Sequence, residues 1–497
     1  MNRSVLTIAF VLLLSTVSPI QAETPVTIHV NAARVEQAFP PLWNFFGYDE
    51  PNYTYAPNGQ KLLREIAALS PAPAYIRTHN LLTSGDGSAS LKWGSTNAYT
   101  EDASGHPIYD WKIVDHIFDT FRDSGVKPLV EIGFMPEALS THPEPYRHNF
   151  PNGSIFTGWA YPPKDYGKWG ELVFQFVEHL RERYGEAEVN TWLWEVWNEP
   201  DIDYWKGTPE EYFKLYDYSA DAVRRALPKA TIGGPDTTGP SHPRAAEFLK
   251  AFLQHCDSGK NYATGKQGAP LDFISFHPKG ANKWADDHVE MGLAAELNAV
   301  DQGFKIVAAS PRWRNTPVIL GEWDPEGCAG CSAQTHPQNG YRNTSLYPAY
   351  TAEAFSQTLV LAERDGVHLQ GALTWAFEFE DQPYFDGFRD LATKGIDKPV
   401  LNAFRMLGLL GGEQIETTSS AALESDEILR ESVRGTPDIH AIATRTSSGI
   451  QIFVWNYRDD DLPAPDAPID VTVSGLPSGT HHALIEHFRI DSDHSNA

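Results

Sequence analysis

The chain has 497 residues, 41% of them hydrophobic, and a formal net charge of −26. That length accommodates one large domain and a smaller one, with substantial cores. The charge argues against nucleic acid and against anionic membrane surfaces as partners, because both would repel it, and suits a neutral substrate.

Met1-Asn2-Arg3, an apolar run from Val5 to Leu14 and small residues up to Ala22 predict a signal peptide over 1–22. The apolar run is too short to span a bilayer, and no later segment approaches a membrane span. Export is therefore expected, with the mature protein secreted or periplasmic. Residues 26–30, Val-Thr-Ile-His-Val, alternate cleanly, so 23–39 should add a strand to a β-domain found further on.

From 40 to 411, short apolar runs alternate with helical patterns. Strands are expected over 42–49, 74–79, 128–134, 191–199, 231–234, 272–277, 318–322 and 370–377. Their continuous apolar character suits parallel strands covered on both faces. The clearest helix covers 164–184, with Trp169, Leu172, Val173, Phe176, Val177, Leu180 and Tyr184 on one stripe. Another carries Leu62, Leu63, Ile66 and Leu69 and stops before Pro71, and Thr208-Pro209-Glu210-Glu211 opens a third. Eight strand–helix units predict an α/β fold, a (β/α)8 TIM barrel, over 40–411. A doubly wound sheet should carry a Gly-rich phosphate turn after its first strand, and Gly47-Tyr-Asp-Glu-Pro is not one. Beyond Gly411, β-rich runs separated by Gly, Ser and Pro turns predict a small accessory β-sandwich over 412–497.

Cys256 falls in a helical pattern and reads as a buried apolar residue. Cys328 and Cys331, in Cys-Ala-Gly-Cys, favour a local disulfide over free thiols, and a zinc site least.

In a barrel of this kind, functional residues end the strands. Those ends hold Tyr48, Asp49 and Glu50, then Arg77, His79 and Asn80, then Asn198 and Glu199. The later ends hold His277 and Lys279, Glu322, and Trp375 with Glu378. Alternation puts Glu195, Trp197 and Glu199 on one face, with Glu195 held by an inward Arg such as Arg77. A lone strand-end Glu more often pairs with Arg or caps a helix. Two of them, in Trp197-Asn-Glu-Pro200 and Leu320-Gly-Glu-Trp323, fit the paired carboxylates of glycosidic hydrolysis. His79 and His277 are ordinary packed histidines or bind sugar hydroxyls. Trp197, Trp323 and Trp375 are core or stack on sugar faces.

Asn198-Glu199-Pro200 with a distant Glu322 resembles clan A of the glycoside hydrolases. Gly47-Tyr-Asp-Glu-Pro-Asn-Tyr-Thr54, Arg77-Thr-His-Asn80, Lys127-Pro-Leu-Val-Glu-Ile-Gly-Phe-Met-Pro136 and Trp194-Glu-Val-Trp-Asn-Glu-Pro200 look like glycoside hydrolase family 39. That family holds β-xylosidases and α-L-iduronidases. The resemblance implies Glu199 as acid/base, Glu322 as nucleophile, Asn198 on the sugar 2-hydroxyl, and His79 and His277 lining the pocket. It implies retention of configuration, with carboxylates about 5–5.5 Å apart, and needs no metal or organic cofactor. Asp49 and Trp375 complete the expected substrate-binding set.

Phe276-His-Pro-Lys-Gly280 looks more like the iduronidase branch, and Lys279 with Arg389 could grip a uronic acid carboxylate. Alternatively, Lys279 pairs with a nearby acid. The expected activity is a β-xylosidase acting on an oligosaccharide or glycoside. The runner-up is an α-L-iduronidase-like or α-L-arabinosidase-like enzyme. The non-enzyme alternative is a carbohydrate-binding protein on an inactive barrel. A homo-oligomer is compatible with the sequence. The ending, Phe488 to Asn496, looks like a stretch the family follows with more β-sandwich, so truncation there is an open expectation.

Overall fold

The structure, a computed structural model, describes residues 25–150, 153–156 and 158–496, without side chains over 147–156. The predicted signal peptide, 1–22, lies outside the described residues. Eight parallel strands close a barrel: Phe45–Tyr48, Tyr75–Thr78, Lys127–Ile132, Leu193–Val196, Thr231–Thr238, Phe273–His277, Val318–Leu320 and Leu369–Thr374. Each pairs with its neighbours in chain order, and the eighth pairs with the first. Every strand lies inside an expected run or begins one residue before it, except the fifth, which extends to Thr238 rather than stopping at Gly234.

Residues two apart on a strand face the same side, so the barrel interior can be followed upward. At the lower end Phe45, Leu129, Leu193, Phe273, Ile319 and Leu373 form one buried apolar cluster. Two residues beyond Leu129, Leu193 and Phe273 stand Glu131, Glu195 and Ser275, and Arg77, paired with Leu129 on the neighbouring strand, sends its guanidinium up to Glu131 and Glu195; all are buried. Two residues further up, His79 and His277 reach the mouth of the barrel. The interior thus passes from apolar to ionic to site residues.

Helices cover the outside. Tyr166–Tyr184 is capped by Asp165, whose carboxylate accepts from the Gly167 and Lys168 N–H groups. It buries Trp169, Leu172, Val173, Phe176, Val177 and Leu180, each contributing roughly 1.5–3 kcal/mol. Pro209–Ala226 starts with a reciprocal capping box between Thr208 and Glu211. Among the described residues, no helix is long and apolar enough to cross a membrane.

The accessory β-region is a five-stranded sheet. Val26–Ala38 lies between Glu413–Ser419, antiparallel, and Ile469–Ser474, parallel, and Asp438–Arg445 and Ile450–Tyr457 extend the other edge. Ile28, Val30, Ala32, Ile415, Ala441 and Ala443 cluster on its buried face. The sheet is tied to the barrel layer through polar groups. Trp455 Nε1 donates to Glu353 of helix Leu346–Asp365 at 2.6 Å. Asp459 accepts from the Gly292 and Leu293 N–H groups at 2.9 and 3.0 Å, capping helix Leu293–Ala309.

Candidate active site

The fourth strand ends at Val196, and Trp197 and Glu199 both adopt left-handed backbone, with φ of 74° and 42°. Such residues cost about 1–3 kcal/mol each and persist only where surrounding bonds impose them. Here the Trp197 N–H donates to the Ile132 carbonyl at 3.2 Å, its indole N–H to the Tyr204 carbonyl at 2.9 Å, and the Glu199 N–H to the Asp236 carbonyl at 2.9 Å. The turn corrects one expectation. Trp197 does not share a face with Glu195 and Glu199, because alternation needs extended backbone. Its ring packs instead against Phe134, Trp169 and Trp205.

The seventh strand ends at Leu320, and Gly321 then allows a close approach. A Cβ there would lie 2.0 Å from Asp236 Oδ1, so no larger residue fits. Glu322 follows. A Glu199 oxygen, a Glu322 oxygen and a His277 ring nitrogen all lie within 4.8 Å of one another. His277 Nδ1 is 2.9 Å from Glu199 Oε1 and 3.6 Å from Glu322 Oε1.

Beneath them, Arg77 anchors the ionic layer. Its Nε donates to Glu195 at 2.6 Å, its Nη2 lies 2.9 Å from Glu131 and also binds Asp236, and its Nη1 reaches Glu322 at 3.4 Å. Nη2 also donates to Asn198 Oδ1 at 3.1 Å, which fixes that amide with its NH₂ group free to face the cavity. Burial opposes ionisation of Glu322, but Lys279, His277 and Arg77 outweigh it and hold the carboxyl well below its usual range. For His277, burial disfavours the cation, yet Asp236 and Glu322 push the imidazole up to about 10.

A cavity of about 170 Å³ opens above, lined by Asp49, His79, Asn198, Glu199, Glu322 and Trp375 among the expected residues. Asp49 accepts from the Trp375 indole at 3.0 Å and pairs with Lys92, and His79 Nδ1 is 2.5 Å from Glu131. A Cβ on Gly47 would meet the Trp375 ring at 2.4 Å, so glycine lets that indole lie across the barrel mouth. Trp323 packs on Phe355 outside the cavity.

The expected pairing of Lys279 with Arg389 as a carboxylate grip is corrected. Lys279 Nζ sits 2.6 Å from both Glu322 and Asp324. Arg389 is fully buried, binds Glu326 at 2.7 Å, lies 3.4 Å from Asp324, and donates to the Trp375 carbonyl at 2.9 Å. Both cations converge on Asp324, and Arg389 does not line the cavity. The length of the Arg389 side chain carries its guanidinium back into the protein, among Asp324, Glu326 and the Trp375 carbonyl.

Sequence reasoning missed Lys92, Tyr146 and Tyr204 in the cavity wall and Asp236 beneath it. Asp236 could have been found by extending the fifth strand past Gly234; the others lie on loops without a motif. Cys328 and Cys331 form the expected disulfide, beside the wall residues Gly327 and Ala329, and Cys256 is buried and free.

The sequence matches the family described as Glycosyl hydrolases family 39 over residues 26–497. It is 29% identical over 452 residues to a β-xylosidase of Geobacillus stearothermophilus, covering 84% of this chain and 81% of that protein. It is 25% identical over 494 residues to human α-L-iduronidase, covering 92% of this chain and 68% of that protein. A solved bacterial orthologue of human α-L-iduronidase superposes with a TM-score of 0.70 at 20% identity, over 91% of this chain and 69% of the other, a likeness of fold. With the matching family model, the closed barrel and two carboxylates meeting at its mouth, this chain is a glycoside hydrolase and belongs to glycoside hydrolase family 39.

Proposed function

We propose that the chain is a retaining exo-acting β-xylosidase, with Glu322 as nucleophile and Glu199 as acid/base. The observation that carries the retaining mechanism is that one oxygen of each carboxylate lies within 4.8 Å of the other, which fits the about 5–5.5 Å separation of retaining enzymes better than the wider gap of inverting ones. Glu322 attacks the anomeric carbon as the bond to the leaving oxygen breaks and Glu199 gives that oxygen a proton. Water then attacks the glycosyl ester, Glu199 takes the water's proton, and Glu322 is released. Arg77, Lys279 and His277 keep Glu322 ionised between turnovers. The Asn198 amide, oriented by Arg77, donates to the sugar 2-hydroxyl, and Trp375 provides an apolar floor.

The cavity is smaller than the roughly 300–1,000 Å³ of drug-sized sites, which favours a single terminal sugar. A neutral pentose is favoured over a uronic acid because Lys279 and Arg389 are matched by Asp324, Glu322 and Glu326, and Lys92 by Asp49. The 29% identity to a β-xylosidase supports the same choice. In this reading 40–411 is the catalytic unit, 23–39 and 412–497 the accessory one, and 1–22 directs export. The test compares 4-nitrophenyl β-xyloside, α-L-arabinosides and a 4-methylumbelliferyl iduronide, with Glu322→Ala as control. Xyloside turnover is expected to dominate, and azide should restore activity to the variant with an inverted product. Preference for the iduronide, or full activity in the variant, would overturn the assignment.

A further inference from the structure

Asp236 takes no part in the chemistry above, yet it reaches Glu199 by two routes. Its backbone carbonyl accepts the Glu199 N–H at 2.9 Å. Its side-chain Oδ2 lies 2.6 Å from His277 Nε2, whose other nitrogen lies 2.9 Å from Glu199 Oε1. Asp236 and His277 are completely buried, so no bulk water reaches between them.

A carboxylate offers only acceptors, and its contact with Nε2 is a buried ion pair rather than an aligned hydrogen bond, so Asp236 favours hydrogen on that ring nitrogen through its charge. Arg77 binds the same Oδ2 and keeps Asp236 an anion: burial opposes this, but Arg77 and His277 hold the carboxyl down to about 2. With Nε2 protonated beside that anion, Nδ1 is the ring atom that can exchange a proton with Glu199. The same logic governs the buried Asp behind a catalytic His in hydrolytic triads, where the acid selects the tautomer and stays ionised.

We propose that Asp236 is the positioning residue of the acid/base: it fixes hydrogen on His277 Nε2, so that His277 Nδ1 and Glu199 Oε1 hold one further proton between them, the proton delivered to the leaving group. The proposal rests on Glu199 being the acid/base. In the first step the shared proton passes to the departing oxygen while Glu322 forms the ester bond. Loss of the Glu322 charge, 3.6 Å from Nδ1, weakens the hold on that proton as it leaves. In the second step a proton from water returns to the pair. The charged groups facing the ring are Asp236, Glu199 and Glu322; Arg77 and Lys279 stand behind Asp236 and Glu322, and Glu131 and Glu195 behind Arg77.

The test is Asp236→Asn against the unaltered protein, using xylosides with good and poor leaving groups. Without the anion the pair should lose its proton earlier, so the alkaline limb of kcat/KM should move down by about one pH unit or more. Poor leaving groups, which need the proton, should lose about tenfold more rate than dinitrophenyl xylosides, which do not. Unmoved limbs with equal losses across leaving groups would reduce Asp236 to a packing residue. A second measurement needs no folded Asp236 variant: ¹⁵N-histidine NMR of the native protein, with the His277 signals assigned by their loss in His277→Gln. Nε2 should stay protonated throughout, with Nδ1 losing its proton along the alkaline limb; Nε2 deprotonating first overturns the proposal. This reading of the ring is made without turnover. Failure of the glycosidase assignment would show separately, as absence of xyloside hydrolysis by the native protein.

Discussion

Lys279 Nζ lies 2.6 Å from Glu322 Oε2 and 2.6 Å from Asp324 Oδ2, so one ammonium bridges the proposed nucleophile and a fully buried acid. Burial works against the Glu322 charge, and Lys279 is the largest of the influences that favour it. In Lys279→Met the carboxyl should therefore take up its proton at higher pH than in the native protein. The acid limb of kcat/KM should move upward, toward the ordinary carboxylate range, with the alkaline limb much less affected. A pH–rate profile on an aryl xyloside reads this directly. An acid limb that stays in place would mean that His277 and Arg77 suffice, and that Lys279 serves Asp324 instead.

Glu199→Ala should separate the two halves of the reaction. General acid catalysis contributes roughly 10²–10⁴-fold, and only where the leaving group needs a proton. Loss of that order is expected with methyl or oligosaccharide leaving groups. With dinitrophenyl xyloside the first step should survive and ester hydrolysis become limiting, visible as a burst of phenol followed by slow turnover. Uniform loss across all leaving groups, without a burst, would mean that Glu199 is not the proton donor.

Stability should peak on the acid side of neutrality. Burial pushes Glu50, Glu195 and Glu296 up to about 8, and Asp236 and Glu322 push His277 up to about 10. Each binds its proton more tightly folded than unfolded, so each contributes stability that is present at low pH and lost as pH rises through its folded value. Arg77 holds Asp236 and Arg342 holds Glu326 down to about 2, against burial, so their contribution appears above the ordinary carboxylate range and is lost as pH falls toward 2. Melting temperature should therefore fall steadily from about pH 5 toward pH 10. A Tm that is flat or rising over that span contradicts the buried charge arrangement.

The eight strands were legible because each is a short apolar run bounded by a helix pattern, a signal that depends only on local sequence. Glu199 and Glu322 were legible because barrel geometry puts strand ends at one face, whatever the loops do. What escaped depends on backbone turns and on side-chain reach. Trp197 leaves the inward face because φ turns positive at one residue, which periodicity cannot register. Asp236 escaped because the fifth strand continues through a Gly-Gly-Pro sequence that reads as a breaker. Arg389 was placed in the cavity because charge type was visible and direction was not. Lys92 joins the wall from a loop, 43 residues from its partner Asp49, and nothing local marks that pairing.

Arg389 offers a direct contrast between a structural brace and a substrate receptor. It lies among Asp324, Glu326 and the Trp375 carbonyl, fully buried. Truncation in Arg389→Ala would leave buried acids short of a partner, a loss on the order of 3–5 kcal/mol. A lower Tm is expected, with KM affected alike for neutral and uronic substrates. A selective loss of uronide binding at unchanged Tm would restore Arg389 as a carboxylate receptor.

The Cys328–Cys331 bridge should matter to binding more than to global stability. It closes a loop of only a few residues, so its effect on the unfolded chain is smaller than the about 3 kcal/mol of a 15-residue loop. Its surroundings give it another consequence. Arg342, fully buried, donates to the carbonyls of Cys328, Ala329 and Cys331 at 2.9, 3.2 and 3.0 Å, while Gly327 and Ala329 form part of the cavity wall. The bridge and the guanidinium together hold that wall against the mouth of the site. In Cys328→Ser with Cys331→Ser, Tm should change little while KM for the xyloside rises several-fold. kcat should be nearly preserved, because Glu199 and Glu322 stand on strand ends that the loop does not carry. Reduction of the native protein with a dithiol should reproduce the KM change, and reoxidation should reverse it. Equal kinetics in the oxidised, reduced and double-Ser forms would show that the Arg342 contacts hold the wall without the bridge.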